Sequence, residues 1–268
     1  MAALARYFRL YFALARYGLA RELAFRGNFL VKVFVEVLWL CILIAFYRTV
    51  FTKTSVVANW TEVEYLFFVG CYFALAGLIE TLFLINCSEF ADLIRTGDLD
   101  FYLLKPIDEQ FLVTCRDIDW SSAANLLMGS LVMGIAWWQM GRPFSLVQLL
   151  GFVVLFVCGI GIAYSLLLML TSTSVWFKRN QSLYELWWLF TSLMRYPREI
   201  FAGKWALPMG WFFTFVIPIL LVVNVPARYV VFDDPRLLGF TAFSTLVLLV
   251  VSRKFFRYAL RRYRSASS

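Results

Sequence analysis

Glu36 and Glu80 are the side chains of this sequence whose chemistry is most out of place, because both carboxylates lie inside long apolar runs. A charge at the centre of a bilayer costs about 2.5–3.5 kcal/mol or more, so each needs a partner or water. Lys32 precedes Glu36 by one helical turn and can pair with it, although lysine before glutamate is the weaker order. A structural ion pair or polar packing contact is the expectation for both, ahead of substrate binding.

The wider inventory argues against catalysis. The chain has no histidine, which removes imidazole metal sites, imidazole proton relays and every histidine-dependent triad. Its five cysteines, Cys41, Cys71, Cys87, Cys115 and Cys158, show no CxxC spacing and read as small hydrophobes. A nucleotide-binding P-loop needs Gly, four residues, then Gly-Lys-Ser/Thr. The single Gly-Lys, Gly203-Lys204, is followed by Trp205, and Arg198 stands where the first glycine belongs. No metal site and no cofactor are expected on this chain, so any ATP and magnesium belong to another polypeptide. An intramembrane lipid-modifying enzyme would want converging polar groups, and an ion-driven secondary transporter would usually show internal repeats and several intramembrane carboxylates. Neither pattern is found, and these two classes are the alternatives to the reading developed below.

The elements that position these residues follow from composition. The chain is 62% hydrophobic with a mean hydropathy of +0.76, and its apolar residues gather in runs of membrane-spanning length. The expected fold is an all-α integral membrane protein: one transmembrane domain, 1–268, with six transmembrane helices. The net charge of +8 falls at span ends and tails, where lipid headgroups rather than nucleic acid explain it. Residues 1–28 read as an interfacial amphipathic helix, with Leu10, Leu14, Tyr17 and Phe25 on one side, Arg6, Arg9 and Arg16 opposite, and a bend at Gly27-Asn28. The arginines interrupt this stretch too often for a cleavable signal peptide.

Spans are expected at about Phe29–Tyr47, Tyr65–Asn86, Trp120–Met140 and Leu146–Thr171. Gly70, Ala74, Gly77 and Thr81 give the second a face of small residues suited to close helix packing. Leu183–Met194 is too short to cross unless the helix continues to Phe201. Residues 202–230 contain Pro208, Pro218 and Pro226, each of which removes a helix hydrogen bond, so this stretch is expected to be a re-entrant extracellular hairpin. A last span, Leu237–Phe256, leads to the basic tail 253–268. The tryptophans, including Trp137, Trp138, Trp187, Trp188, Trp205 and Trp211, read mostly as interfacial belts. With both termini cytoplasmic, seventeen of the 25 Lys/Arg fall on the inner side. Counting the proline-rich stretch as a crossing would export the basic tail, against the positive-inside rule.

The one long cytoplasmic loop, 87–119, is acidic. Glu89, Asp92, Asp98, Asp100, Asp108, Glu109, Asp117 and Asp119 face only Arg95, Lys105 and Arg116. Its centre runs from a short amphipathic helix through a Thr96-Gly97-Asp98 turn and an apolar patch to a Lys105-Pro106 stop. Such a loop is suited to dock on something in the cytosol; the bland alternative is a solvated loop whose leucines tuck under the bundle. If it docks, Leu93, Ile94, Leu99 and Phe101 would fill a groove while Asp92, Arg95, Asp98, Asp100 and Lys105 set the register.

The stretch Arg95-Thr-Gly-Asp-Leu-Asp-Phe-Tyr-Leu-Leu-Lys-Pro106 closely resembles the cytoplasmic loop of a branch of the ABC-2 type permeases, the membrane subunits of ATP-binding-cassette exporters. Arg195-Tyr-Pro197, with Phe201, Pro208, Ile217-Pro218 and Pro226-Ala227, is similar to that branch's extracellular segment. The resemblance implies a six-span subunit of a bacterial plasma membrane that pairs with a second permease, another copy or a paralogue, around a central pathway. It also implies a cytosolic ABC ATPase under each half. Residues 89–106 would be the ATPase-coupling element, and the N-terminal helix would be the connecting helix. The family exports drugs, polyketides, lipids and glycans, and neither motif discriminates among them.

Overall fold

The computed structural model describes residues 2–143, 145–177 and 181–263, with backbone alone at 2–4 and 181–184. No strand occurs among them. Helix α1 (Ala2–Ala24) meets α2 (Arg26–Phe51) at Phe25, whose ψ of 56° breaks the helix. The bend therefore falls two residues before the expected Gly27-Asn28, and Gly27 lies inside α2. Helix α3 (Glu62–Ile79) begins where the Glu64 carboxylate accepts a hydrogen bond from the Thr61 N–H at 3.0 Å. It passes through a π-helical turn, Glu80–Leu84, straight into α4 (Ile85–Thr96). The second span and the expected loop helix are thus one 35-residue rod.

Gly97, at φ +83°, ends that rod in the left-handed conformation that glycine adopts without strain. Short helices α5 (Leu99–Leu103) and α6 (Glu109–Thr114) follow. Helix α7 (Ala123–Met140) then returns along α3, and α8 (Leu146–Phe177) and α9 (Gln181–Met194) come next. The α-helix does not continue beyond Met194: Pro197 intervenes and a 3₁₀ turn, Arg198–Ala202, carries the chain on. Helices α10 (Leu207–Phe215) and α11 (Ile219–Phe232) are bent by 88° at a break containing Pro218. Pro208 sits in the first turn of α10, where its missing N–H costs nothing. Helix α12 (Leu238–Arg262) closes the chain. Lys178, Arg179 and Arg264 lie outside the described residues.

Among the described residues four helices are long and apolar enough to cross a membrane, α2, the α3–α4 rod, α8 and α12, or five if the bent pair counts as one. Two of the expected crossings correspond to the shorter α7, of 18 residues, and α9, of 14.

Small residues let the bundle close. A Cβ added at Gly129 of α7 would stand 2.3 Å from the Ala74 nitrogen, and one at Gly70 would stand 2.7 Å from the Met133 nitrogen, so α3 and α7 pack backbone to backbone. Inside α11, Pro226 cannot donate to the Val222 carbonyl. Gly159 of α8 approaches that oxygen, and a Cβ there would be 2.6 Å from it.

Contacts along the rods fix their directions. Gly151 meets Tyr229 and Gly159 meets Val222, so α11 runs opposite to α8. Gly161 meets Thr245, and Leu168 and Val175 share a cluster with Phe256 and Ala259, so α12 runs with α8. The elbow formed by α4, α5 and α6 therefore lies at the same end of the bundle as α1 and the C-terminal halves of α8 and α12.

Candidate functional site

The elbow is a built structure rather than a solvated loop. Phe90, Ile94, Leu99 and Val113 pack with Leu168, Val175, Phe256 and Ala259 into a second apolar cluster, separate from the main core. Ile94 is 2% exposed and Leu99 is fully buried. These two expected groove-filling anchors are corrected here: they face their own bundle, as the tucked-leucine alternative foresaw, while Leu93 is half-buried against the same cluster. In α5, residues three apart share a face. With Leu99 and Tyr102 turned inward, Phe101 and Leu104 point out, at 67% and 82% exposed. Around them Asp92, Arg95, Asp98, Lys105 and Pro106 are also exposed. Arg95 pairs locally with Asp92 at 3.3 Å, and the Thr96 hydroxyl lies 2.7 Å from the Asp98 carboxylate.

Cations from three elements hold the elbow in place. Arg116 bridges Glu89 and Asp117 and stands 5.4 Å from the centre of the Tyr102 ring. Arg253 of α12 donates to Asp108 at 2.6 Å and to Gln110 at 3.0 Å. Burial pushes the Asp108 carboxyl up, but the Arg253 guanidinium and the Phe111 N–H, both donating to it, outweigh that and hold it below the ordinary carboxylate range.

Helix α1 straps the whole assembly. Arg6 donates to the Pro106 carbonyl at 3.1 Å, Tyr7 accepts from the Asp108 N–H at 2.9 Å, and Arg21 pairs with Asp117 at 3.1 Å. Glu22 accepts from the N–H groups of Trp120 and Ser121 at 2.8 and 3.0 Å, in the turn that leads into α7. Burial nonetheless pushes the Glu22 carboxyl up. The packed face of α1 is Tyr7, Tyr11, Leu14, Ala15 and Gly18, whereas Tyr17 and Phe25 are exposed rather than grouped with Leu14. Glu22 could have been found in the sequence as the one acidic residue of the helix; nothing there named Trp120 as its partner.

A second feature lies between the helices. Helices α2, α3, α7 and α9 surround a cavity of about 350 Å³ lined by Glu36, Trp39, Tyr72, Glu80, Asn125 and Arg195. Lys32 does not pair with Glu36; it turns to Asp119, 3.9 Å away. The expected ion pair is thus corrected, because among the described residues neither Glu36 nor Glu80 has a cationic partner. Glu80 makes a polar contact with the Asn125 amide. Arg195 is held by rings, its guanidinium 5.3 Å from the centre of Trp39 and 5.6 Å from that of Tyr72. Trp188 also lines this cavity, and Trp187, expected in an interfacial belt, is buried in the core.

The two features touch through the π-turn. Its Thr81 carbonyl accepts the Asp119 N–H at 3.0 Å, and Asp119 also faces Lys32 of α2 and caps the start of α7 through Ser121. Asn86 ties the Asp117 backbone at both its N–H and its carbonyl, at 2.8 and 2.7 Å. π-Turns recur at functional sites, and this one begins at Glu80.

At the opposite end, Arg228 bridges Glu199 and Asp234, and the buried Trp60 donates to Glu199 at 3.1 Å. Asn224 accepts from the Arg198 N–H at 2.6 Å, fixing the turn after Pro197. Arg142 joins Glu64 at 3.3 Å.

The long apolar helices make this a helical multi-pass membrane protein, with an anchored elbow at one end of the bundle. The family model described as ABC-2 family transporter protein matches residues 37–267, and the chain belongs to that family of ABC transporter permeases. No curated protein and no solved structure matches the chain.

Proposed function

We propose that this chain is the permease half of an ATP-driven exporter whose ATP is hydrolysed by a separate cytosolic ABC ATPase seated on the elbow. The observation that carries this reading is the pair Phe101 and Leu104: two large apolar side chains offered to solvent from a short helix whose other face is buried and whose frame is braced by ion pairs. Apolar anchors at the centre of such a contact supply affinity, and the rim formed by Asp92, Arg95, Asp98, Asp100 and Lys105 sets register. The elbow, both termini and most of the basic residues then face the cytoplasm of a bacterial-type plasma membrane. The chain crosses six times, and the bent pair α10–α11 is the external re-entrant segment built around Pro208, Pro218 and Pro226.

A second permease, another copy or a paralogue, completes the pathway. Helix α2 supports this, since it buries little of itself in this chain and exposes Leu30, Val31, Phe34 and Val35 to lipid or a neighbour. Closure of the ATPases on ATP pushes the elbow, and Asp119 transmits that movement to the π-turn and to the wall of the cavity.

Purifying the tagged chain from its native membrane in mild detergent tests this reading. The expected result is co-elution with an ABC ATPase and vanadate-sensitive ATP turnover. Transport by the chain with no ATPase companion would contradict it.

A further inference from the structure

We infer that the outer face of α1 docks on the anionic headgroups of the membrane that α2 enters, and that this contact holds the α1 strap on the elbow. The arginines of α1 fall into two sets. Arg6 and Arg21 turn to the elbow, Arg6 to the Pro106 carbonyl and Arg21 to Asp117. Arg9 and Arg16 turn away: both are exposed, and among the described residues neither pairs with a carboxylate. They are two helical turns apart, so they form one ridge about 10 Å long on the side of the helix opposite Gly18.

Exposed rings flank that ridge. Phe8, Phe12 and Tyr17 are 64%, 61% and 67% exposed, and the Phe8 and Phe12 rings lie 5.3 Å apart. Solvent-facing rings interleaved with unpaired arginines suit a bilayer surface, with the rings at the acyl boundary and the guanidinium groups among phosphates. Continuity with α2 favours a leaflet over a soluble partner: only Phe25 separates the two helices, and the exposed apolar surface of α2 begins at Leu30 and Val31. The sign is set as well. Glu22, the one acid of α1, is turned to Trp120 and Ser121, so the outer face carries positive charge alone.

Both faces belong to one helix, so a leaflet that binds the outer face also bears on the elbow. Seated, α1 presents Arg9 and Arg16 in fixed register beside α2; released, it would have to be ordered by the lipid alone. Anionic lipid therefore binds the seated form more tightly and shifts the equilibrium towards it. Each basic residue near an anionic surface is worth about a fivefold gain, so the pair can supply about twenty-five-fold.

Three backbone N–H groups report the seating because each donates to α1: that of Asp108 to the Tyr7 hydroxyl, and those of Trp120 and Ser121 to the Glu22 carboxylate. The test is hydrogen exchange at these positions in the full chain, without any ATPase, in nanodiscs of phosphatidylcholine alone or mixed with phosphatidylglycerol. Exchange should slow about fivefold or more with the anionic lipid. The slowing should vanish at high salt and in Arg9→Gln/Arg16→Gln, which removes no bond to the elbow. In phosphatidylcholine the variant should exchange like the wild type, which shows that it folds. Equal wild-type exchange in the two lipids, or an unchanged lipid effect in the variant, overturns the inference. If instead the variant loses ATPase co-elution while lipid has no effect, the face belongs to a protein and the inference also falls.

Discussion

The elbow and the cavity use carboxylates in opposite ways. At the elbow Glu89, Asp108 and Asp117 each meet a cation from another element, Arg116, Arg253 or Arg21, and the pairs fix the position of the segment. In the cavity neither Glu36 nor Glu80 pairs with a cation among the described residues, and aromatic rings rather than carboxylates hold Arg195, which lines the same space. Matched charges act as structure, because removing either partner strands the other. Unmatched ones lower stability, since nothing offsets the cost of taking the charge out of water. The same residue type thus braces the fold or costs it stability according to what faces it.

Mutation can break this comparison in graded steps. Ile94→Asp, which puts a charge into the elbow's apolar cluster, should have the largest effect. A loss of about 3 kcal/mol or more, seen as a lowered Tm of the purified chain in nanodiscs, is expected from an unpaired buried charge. Arg116→Ala should cost about 2 kcal/mol on the same measurement, less than a fully buried pair would, because Glu89 is half exposed.

In contrast, Glu80→Gln should leave the Tm unchanged or raise it by about 1 kcal/mol equivalent, since it removes a charge that meets the Asn125 amide but no cation among the described residues. A destabilised Glu80→Gln variant would place Glu80 among the braces and erase the contrast.

The smallest effect concerns pH. The folded-state Asp108 carboxyl is held below its ordinary range, so its contribution is present above the unfolded value of about 4 and is lost as pH falls through the lower folded value. Hydrogen exchange at residues 106–114 should therefore be insensitive to pH-driven loosening near neutrality and show it only in acid, after correction for intrinsic rates. Asp108→Asn should show the loosened exchange at every pH.

Much of this was legible in the sequence, for identifiable reasons. Apolar run length marked the long helices, and Pro218 marked the break, because both are local properties. The small-residue face of α3 announced close packing, and Gly129 supplied its partner. Periodicity alone left undecided which side of the loop faces inward: Ile94 and Leu99 look as available as Phe101 until α8 and α12 are seen to cover them. One helical turn of spacing lets Lys32 pair with Glu36, yet Asp119, from the far end of the elbow, competes for it. The strap formed by α1 was invisible for the same reason, since its contacts with Pro106, Asp108 and Trp120 span about a hundred residues of chain. The resemblance supplied what local pattern does not, the proposal that an ATPase sits at the elbow.

The central claim is that a separate ATPase grips the exposed face of α5. Phe101→Asp/Leu104→Asp tests it most directly, since both side chains point away from the bundle and the fold should survive, with Tm unchanged. The variant is expected to elute without the ATPase and to lose transport-coupled ATP turnover. A double variant that keeps the ATPase and its coupled turnover would contradict the account.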